Sequence, residues 1–288
     1  MNTFAVIDIG SNSVRLMTVA DGKVLYKRVN TTRLGEGIAH APILKTNAIE
    51  RSVAAVADFY RQAKADGADA VLAFATAAVR TAENGRAFVE AVKARCGLDV
   101  DVISGETEAE IGIAGALGKA DGGVVDVGGA STEIVLATNG KITYKKSVPI
   151  GVVRLKDVCG RDLDKLTLVA KNALEAYQGI TLPKTLYAIG GTATTLAAQR
   201  LRLTEYDPEK ITGCVISRET LEKMTETFHR MTVEEIAALP CMPKGRADVI
   251  LGGAVLLSKL MQEKTVEKLI VSDRDNLEGY AMKKGLLK

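Results

Sequence analysis

Two short stretches of the chain combine a carboxylate with glycines and small hydroxyl residues. Residues 123–135 read GVVDVGGASTEIV, and residues 4–16 read FAVIDIGSNSVRL. In each stretch an apolar run typical of a buried strand contains one aspartate, Asp8 or Asp126, and then ends in a glycine turn. Glycine allows a tight turn that brings backbone amides against a ligand, and successive amides form a concavity for anions. The pattern therefore predicts two phosphate-binding loops.

The two turns carry small side chains and hydrogen-bond donors. They are Gly10, Ser11, Asn12 and Ser13 in the first loop, and Gly128, Gly129, Ser131 and Thr132 in the second. A carboxylate repels bound phosphate unless a cation lies between them, and magnesium is typically held by one or two carboxylates together with phosphate oxygens. Asp8 and Asp126 therefore predict a site for Mg²⁺ or another divalent cation.

Other residues could serve the same chemistry. A third glycine-hydroxyl turn is predicted at GGTATT (190–195). Glu106, Glu108 and Glu110 follow a short strand and open a helix, where acids are favoured by the helix dipole. One of them could take a proton from water that attacks phosphorus, but the spacing alone does not choose among the three. Arg80 could bind phosphate bidentately, although a surface arginine is the more common interpretation.

The elements that position these residues occur twice. Aligning Asp8 with Asp126 also aligns the glycines and serines of the two turns, and then DGKVLYKR (21–28) with NGKITYKK (139–146). Each half reads as a β-hairpin, another strand, and then strands alternating with helices. We therefore predict an α/β protein of two duplicated domains, each a mixed five-stranded sheet flanked by helices, with the active site in the cleft between them.

The predicted boundary lies at GKADG (118–122). The first domain covers 1–120, and the second covers 121–288 and carries inserted helices, with the last helix packing back on the first domain. Small residues in GIAGALG (112–118) predict a closely packed helix face. The basic residues of the paired hairpins are interpreted as solvated edge charges; they are Lys27, Arg28, Lys145 and Lys146.

Composition excludes several function classes. The 288 residues are 47% hydrophobic and 25% charged, with a net charge of +3, which is too small to indicate nucleic acid binding. No apolar run reaches the roughly 18 residues of a membrane span, and the N-terminus lacks the basic region of a signal peptide. The four cysteines lack CxxC spacing and there are only two histidines, so a zinc site is not predicted. Scattered cysteines without such grouping are typical of the reducing cytoplasm, which is the predicted location.

The motifs together resemble the exopolyphosphatase/guanosine pentaphosphate phosphohydrolase (Ppx/GppA) family, in its short two-domain form. This family belongs to the sugar kinase and actin-like ATPase superfamily of duplicated ribonuclease-H-like domains. The resemblance rests on stretches that follow the family's order along the whole chain: IDIGSNSVRL (7–16), TRLGEG (32–37), ATAAVR (75–80), ISGETEA (103–109), VDVGGASTE (125–133) and AIGGTATTLAA (188–198).

The resemblance implies metal-dependent hydrolysis of a terminal phosphoanhydride. It implies that Glu108 is the general base, that Arg80 contacts phosphate, and that Asp126 binds metal. Glu133 matches the end of the second loop. Residues Gly190, Gly191 and Thr192 match the segment that holds adenosine in the superfamily's kinases. Ala130 stands where the family commonly has a third glycine, and DNLEG (275–279) replaces its usual Gly-Leu-Arg-Glu-Gly.

The expected substrate is inorganic polyphosphate. Guanosine pentaphosphate is the alternative, because the same residues would remove its terminal phosphate. A sugar kinase is disfavoured by a glutamate placed to activate water. A sensor that binds polyphosphate or an alarmone without hydrolysis needs no general base, so Glu108 argues against it. No membrane partner is expected, and a homodimer is compatible with a chain of this size.

Overall fold

The computed structural model describes residues 2–287, which form two β-sheets with helices packed on them. The first sheet contains β1 (Thr3–Ile9), β2 (Val14–Ala20), β3 (Lys23–Asn30), β4 (Ala70–Ala75) and β5 (Val100–Val102). The strand order is β3-β2-β1-β4-β5. The first three strands are antiparallel neighbours, whereas β4 and β5 run parallel to β1. This is the predicted mixed sheet of five strands.

The second sheet repeats the first and adds one strand. Its strands are β6 (Gly122–Val127), β7 (Thr132–Thr138), β8 (Lys141–Val148), β9 (Thr185–Ile189), β10 (Val215–Ser217) and β11 (Lys268–Val271). The order is β10-β11-β9-β6-β7-β8, so five strands reproduce the order and directions of the first sheet. The sixth, β10, pairs antiparallel with β11 at the edge and comes from the inserted segment of the second half.

The duplication extends to fine detail. The register of β2 with β3 shifts after Thr18, and that of β7 with β8 shifts after Leu136. These two β-bulges fall on the same position when Asp8 is aligned with Asp126. A bulge adds local twist to a hairpin, so both hairpins bend at the same place.

Twelve α-helices surround the sheets within the described part of the chain. They are α1 (Thr46–Ala65), α2 (Ala77–Thr81), α3 (Gly85–Cys96), α4 (Gly105–Leu117), α5 (Val152–Cys159), α6 (Leu163–Leu174), α7 (Gly190–Arg200), α8 (Pro208–Ile211), α9 (Arg218–Arg230), α10 (Val233–Ala237), α11 (Ile250–Glu263) and α12 (Asn276–Lys283). The predicted glycine-hydroxyl segment 190–195 turns at Gly190, where φ is +79°, and forms the start of α7.

Strand alternation places both loop aspartates on inner sheet faces. Successive side chains of a strand point to opposite faces, so Asp8 shares a face with Val6, and Asp126 with Val124. Val6 packs in a cluster with apolar residues of α12, and Val124 packs in a cluster with Ile113 of α4. Both carboxylates are therefore directed toward the α4–α12 pair.

Glycines allow α4 and α12 to cross at very short range. A Cβ atom on Gly115 of α4 would lie 1.9 Å from the backbone oxygen of Asp275. A Cβ atom on Gly279 of α12 would lie 1.7 Å from the backbone oxygen of Ile111. The close packing predicted from GIAGALG is confirmed, and its partner is the last helix.

The two sheets divide the chain near the predicted boundary. Strands up to residue 102 belong to the first sheet and strands from residue 122 onward to the second. The last helix packs on the first sheet, where Tyr280 stacks on Phe74 with ring centroids 4.5 Å apart. The assignment of 1–120 and 121–288 as domains stays a prediction. Within residues 2–287, no helix has both the length and the apolar character needed to cross a membrane.

Candidate active site

The two predicted loops have the same backbone closure and face each other. The amide of Gly10 donates to the backbone oxygen of Ser13, and that of Gly128 to the backbone oxygen of Ser131, both at 3.0 Å. A Cβ atom on Gly129 would lie 2.8 Å from the Cβ of Ser11, so the loops are in contact across the cleft. The two phosphate-binding loops predicted from the sequence therefore lie against each other.

Neighbouring segments engage the loop carbonyls and leave the amides available. The oxygens of Ser11 and Asn12 accept from the amides of Gly35 and Arg33, at 2.8 and 2.9 Å. The oxygens of Gly128 and Gly129 accept in the same way from the segment that opens α5, at 3.0 and 2.8 Å. Among residues 2–287, the amides of 11–13 and 129–131 have no acceptor. Such amides can bind the oxygens of an anion.

A cavity of about 510 Å³ opens beside these loops. Both sheets contribute to its wall, because Asp8 and Thr76 line it from the first half and Asp126 and Gly190 from the second. Glu108 of α4 also lines it. The structure thus brings the predicted loops, both aspartates and the predicted base to one cleft.

The structure selects one glutamate from the three at the start of α4. Glu108 is 7% exposed, whereas Glu106 is exposed and Glu110 forms an ion pair with Lys145 on the outside. The Oε2 atom of Glu108 accepts from Nη1 of Arg80 at 3.0 Å. Burial raises the pKa of Glu108 to about 7, and the Arg80 guanidinium opposes this shift. Glu108 is therefore poised to exchange a proton near neutral pH.

Two further buried acids, Asp126 and Glu133, also have raised pKa values. Burial raises the pKa of Asp126 to about 8, and the nearby Asp275 and Glu108 add to the shift. Burial also raises the pKa of Glu133, reinforced by Glu108 and Asp126, although Ser147 donates to Glu133 at 2.6 Å. Removing this electrostatic repulsion requires protons or a cation.

The donor set fits a hard divalent cation shared with a ligand. The Oδ1 atom of Asp8 and the Oε2 atom of Glu133 are buried and lack hydrogen-bond partners. Within residues 2–287, no three His, Cys, Asp or Glu side chains form a metal-binding group by themselves. One or two carboxylates completed by phosphate oxygens and water is the arrangement that Mg²⁺ commonly uses.

The start of α7 approaches the second aspartate closely. Gly190 has φ of +79°, and a Cβ atom there would lie 2.4 Å from Oδ1 of Asp126. Only glycine tolerates both the conformation and the contact. The hydroxyl of Thr192 donates to the backbone oxygen of Val127 at 2.7 Å, so it ties α7 to β6. Gly190 and Gly191 line the cavity, whereas Thr192 has a structural contact.

Several residues of the cleft were not assigned from the sequence. Arg15 donates through Nε to Oδ2 of Asp8 at 2.9 Å and forms an ion pair with Asp275. Lys27 was predicted to be a solvated edge charge, and this is wrong for its side chain. It forms ion pairs with Asp273 at 2.9 Å and Glu278 at 2.7 Å and is 24% exposed. The pairing could not be foreseen because its partners lie near the other end of the chain.

Arg246 is another cleft residue that sequence reasoning missed. A Cβ atom on Gly191 would lie 2.2 Å from its Nη2 atom, and its Nε atom is buried without a partner. Burial and the positive charge of Arg15 lower the pKa of Arg246 to about 10. It lines the same cavity. Its only sequence signal is the stretch RADVILGGAVLL (246–257), where an arginine precedes a buried helix.

The raised pKa values predict that the cation-free protein loses stability as pH rises. In the folded state Glu108 and Asp126 release protons at about pH 7 and 8, against ordinary values of 4.5 and 3.8. Their contribution to stability is therefore full below about pH 4 and lost through about pH 8. Calorimetry on chelator-treated protein should show Tm falling across this range, and Asp126→Asn should flatten the fall. A Tm that rises with pH over this range would contradict the expectation.

The architecture and the cleft of this chain are those of a known structural class. It has the actin-like ATPase fold, in which two duplicated halves enclose a cleft, here lined by paired loops and buried carboxylates. The model of the Ppx/GppA phosphatase family matches residues 16–287, and the chain belongs to that family. Phosphatases of this family are hydrolases that act on phosphoanhydride bonds.

Individual relatives agree with this assignment. Exopolyphosphatase 2 of Mycobacterium tuberculosis is 31% identical, over 96% of this chain and 97% of its own. The guanosine-5'-triphosphate,3'-diphosphate pyrophosphatase of Photobacterium profundum is 29% identical over 99% of this chain, but this alignment covers only 58% of that protein. The crystal structure of the Aquifex aeolicus Ppx/GppA family member superposes with a TM-score of 0.78, at 31% identity, over 99% of this chain and 98% of its own.

Proposed function

We propose that this chain is an exopolyphosphatase that removes the terminal phosphate of inorganic polyphosphate in the presence of Mg²⁺ or another divalent cation. The observation that carries the proposal is the environment of Glu108. It is a buried carboxylate with a pKa of about 7 at the cavity that the two loops enclose. A general base is most effective when its pKa lies near the working pH.

Each group then has a distinct task. Water adds to the terminal phosphorus while its proton passes to Glu108, and the bridging P–O bond breaks with its electron pair on the shortened chain. The Nη1 atom of Arg80 donates to the backbone oxygen of Ile103 at 2.8 Å and to Oε2 of Glu108. The Nη2 atom of the same guanidinium has no acceptor among the described residues; Arg80 lies behind Glu108 and does not itself line the cavity, so its proposed contact is with a phosphate that reaches Nη2. The loop amides bind the other oxygens, where charge accumulates in the transition state.

Asp8 and Asp126 would hold the cation. When bound, the cation neutralises charge on the phosphate oxygens. Arg15 holds one oxygen of Asp8 and leaves Oδ1 free, and Asn276 holds Oδ2 of Asp126. The two carboxylates are thus oriented before a ligand arrives, which lowers the reorganisation needed during the reaction.

Polyphosphate is the first candidate substrate because an exopolyphosphatase aligns with 96% of this chain at 31% identity. Hydrolysis of guanosine pentaphosphate by the same residues is the second candidate. A homodimer and a cytoplasmic location stay predictions of the sequence.

Phosphate release from defined substrates tests the proposal. Short polyphosphate, long polyphosphate, guanosine pentaphosphate and ATP are each incubated with the protein, with Mg²⁺ or with a chelator. We expect Mg²⁺-dependent release from polyphosphate. Faster release from guanosine pentaphosphate would select the second candidate. Tight binding of all four without any release would instead indicate a non-catalytic sensor.

Substitution of Arg246 is expected to weaken substrate binding more than it slows chemistry. Its unpartnered guanidinium lines the cavity beside Gly191 and is placed to bind a phosphate. Loss of a hydrogen bond between charged groups costs about 1.5–3 kcal/mol. Arg246→Ala should therefore raise KM for polyphosphate about 10- to 100-fold, as initial-rate kinetics would measure. Arg33→Ala is the control variant, because the Arg33 guanidinium already has a carboxylate partner, Asp248 at 2.8 Å, and does not line the cavity. An unchanged KM for Arg246→Ala would contradict this role.

A further inference from the structure

Two consecutive residues at the start of α12 contact the two duplicated aspartates, one directly and one through an arginine. The Nδ2 atom of Asn276 donates to Oδ2 of Asp126 at 3.1 Å, and both side chains are buried. Asp275 forms an ion pair with Arg15, which in turn donates to Asp8 at 2.9 Å. The first aspartate and the second, one on each sheet, are therefore both connected to one end of the last helix.

This end of α12 is held firmly. Asp275 caps the helix, since its Oδ1 accepts from the amide of Leu277 at 3.0 Å. Its own amide donates to Glu278 at 3.0 Å, which completes a capping box. Lys27 of β3 pairs with the same Glu278 at 2.7 Å. The backbone that carries the Asn276 side chain is therefore held in place by the capping box and by this ion pair.

Helix α4, which carries Glu108, packs against this end of α12. A Cβ atom on Gly112 of α4 would lie 2.9 Å from Oδ1 of Asn276, so the amide lies directly against α4. Gly115 and Gly279 already bring the backbones of α4 and α12 into contact, so the two helices cannot approach further. Because Glu108 is on α4 and Asn276 is on α12, the packing of these two helices sets where the amide donor of Asn276 lies relative to Glu108.

We infer that Asn276 is a positioning residue that fixes the Asp126 carboxylate, with the α4–α12 pair as the frame that aligns it with Glu108. For its effect on turnover this inference rests on the proposed function. Without the amide donor, Asp126 loses its only side-chain hydrogen bond within the described residues, and its carboxylate can rotate. Substituting residues that orient a metal ligand typically costs 10- to 100-fold in metal affinity or activity.

Two variants of Asn276 test the inference in complementary ways. Asn276→Leu keeps the number and branching of the side-chain heavy atoms but is larger and has no polar atoms, and Asn276→Asp keeps the shape but replaces the N–H donor with oxygen. Binding of Mn²⁺, used as a probe for the cation, is measured on Asn276→Leu by electron paramagnetic resonance without substrate. We expect its Mn²⁺ dissociation constant to rise about 10-fold or more. For both variants we expect kcat on polyphosphate to fall about 10-fold or more, with KM within about threefold.

Asn84→Leu is the matched control. The Asn84 side chain is partly buried and bonds only the backbone of Leu44, with both contacts at 2.8 Å, and it does not line the cavity. It should lower Tm without changing Mn²⁺ binding or kcat.

Three results would overturn the inference. One is an Asn276→Asp protein with kcat within twofold of the wild type, because shape alone would then suffice. Another is a loss in Asn84→Leu equal to that in Asn276→Leu, because general destabilisation would then explain both. The last is a wild-type protein that binds no Mn²⁺. A wild type that binds Mn²⁺ but releases no phosphate would refute the proposed function and leave the binding comparison valid.

Discussion

Replacing Glu108 with glutamine is expected to slow phosphate release from polyphosphate by about 100- to 10,000-fold, the usual contribution of a general base. Glutamine has the shape of glutamate and can still contact Arg80, but it cannot accept a proton from water. Since Glu108 is buried and its pKa is raised by that burial, the neutral amide costs the folded protein little. Loss of rate with an almost unchanged Tm would show that the carboxylate acts in the chemistry.

The matched control for this substitution lies on the same helix. Glu110→Gln changes an acid that pairs with Lys145 outside the cleft, so its rate should stay within about twofold of the wild type. Single-turnover phosphate release separates the chemical step from product release. Glu108→Gln protein that retains more than a tenth of the wild-type rate would refute the assignment of Glu108 as the base.

Gly279→Ala is expected to destabilise the protein by about 3 kcal/mol or more, because overpacking at a backbone contact cannot be relieved by a side-chain rotation. The added Cβ would lie 1.7 Å from the backbone oxygen of Ile111, so α12 must move away from α4. This corresponds to a fall in Tm of roughly 10 °C for a chain of this size. Movement of α12 would also displace Asn276 from Asp126, so activity should fall in the remaining folded protein.

Gly252→Ala provides the comparison for Gly279→Ala. Gly252 lies in α11, and a Cβ atom there would meet side-chain atoms of Leu155 and Leu166 at 3.3–3.6 Å. Alanine is favoured over glycine in a helix by about 1 kcal/mol, which offsets this slight crowding. Thermal unfolding should therefore change by only a few degrees. Equal effects of the two substitutions would show that the α4–α12 crossing is not specially restrictive.

Local sequence was sufficient to predict the repeated unit. The apolar run, the single aspartate and the glycine turn each depend on residues that are adjacent in the chain, and the repeat of the pattern at Asp8 and Asp126 reveals the duplication. Strand alternation and turn chemistry are local properties, so the two hairpins and their loops could be assigned before the structure was known. The sixth strand, β10, could not, because it is short and lies in the inserted segment, which has no counterpart in the first half.

Long-range packing determines which charged residues belong to the site. Glu106, Glu108 and Glu110 are equivalent in sequence, and only the packing of α4 between the sheets buries the second of them. The start of α12 is far along the chain from Arg15 and Lys27, and no local pattern connects it with them. The fold, the loops and the kinds of groups available could thus be predicted from local patterns in the chain. Burial and long-range contact, which set the pKa of Glu108 and the partner of Asp126, exist only once the two halves and the last helix have packed together.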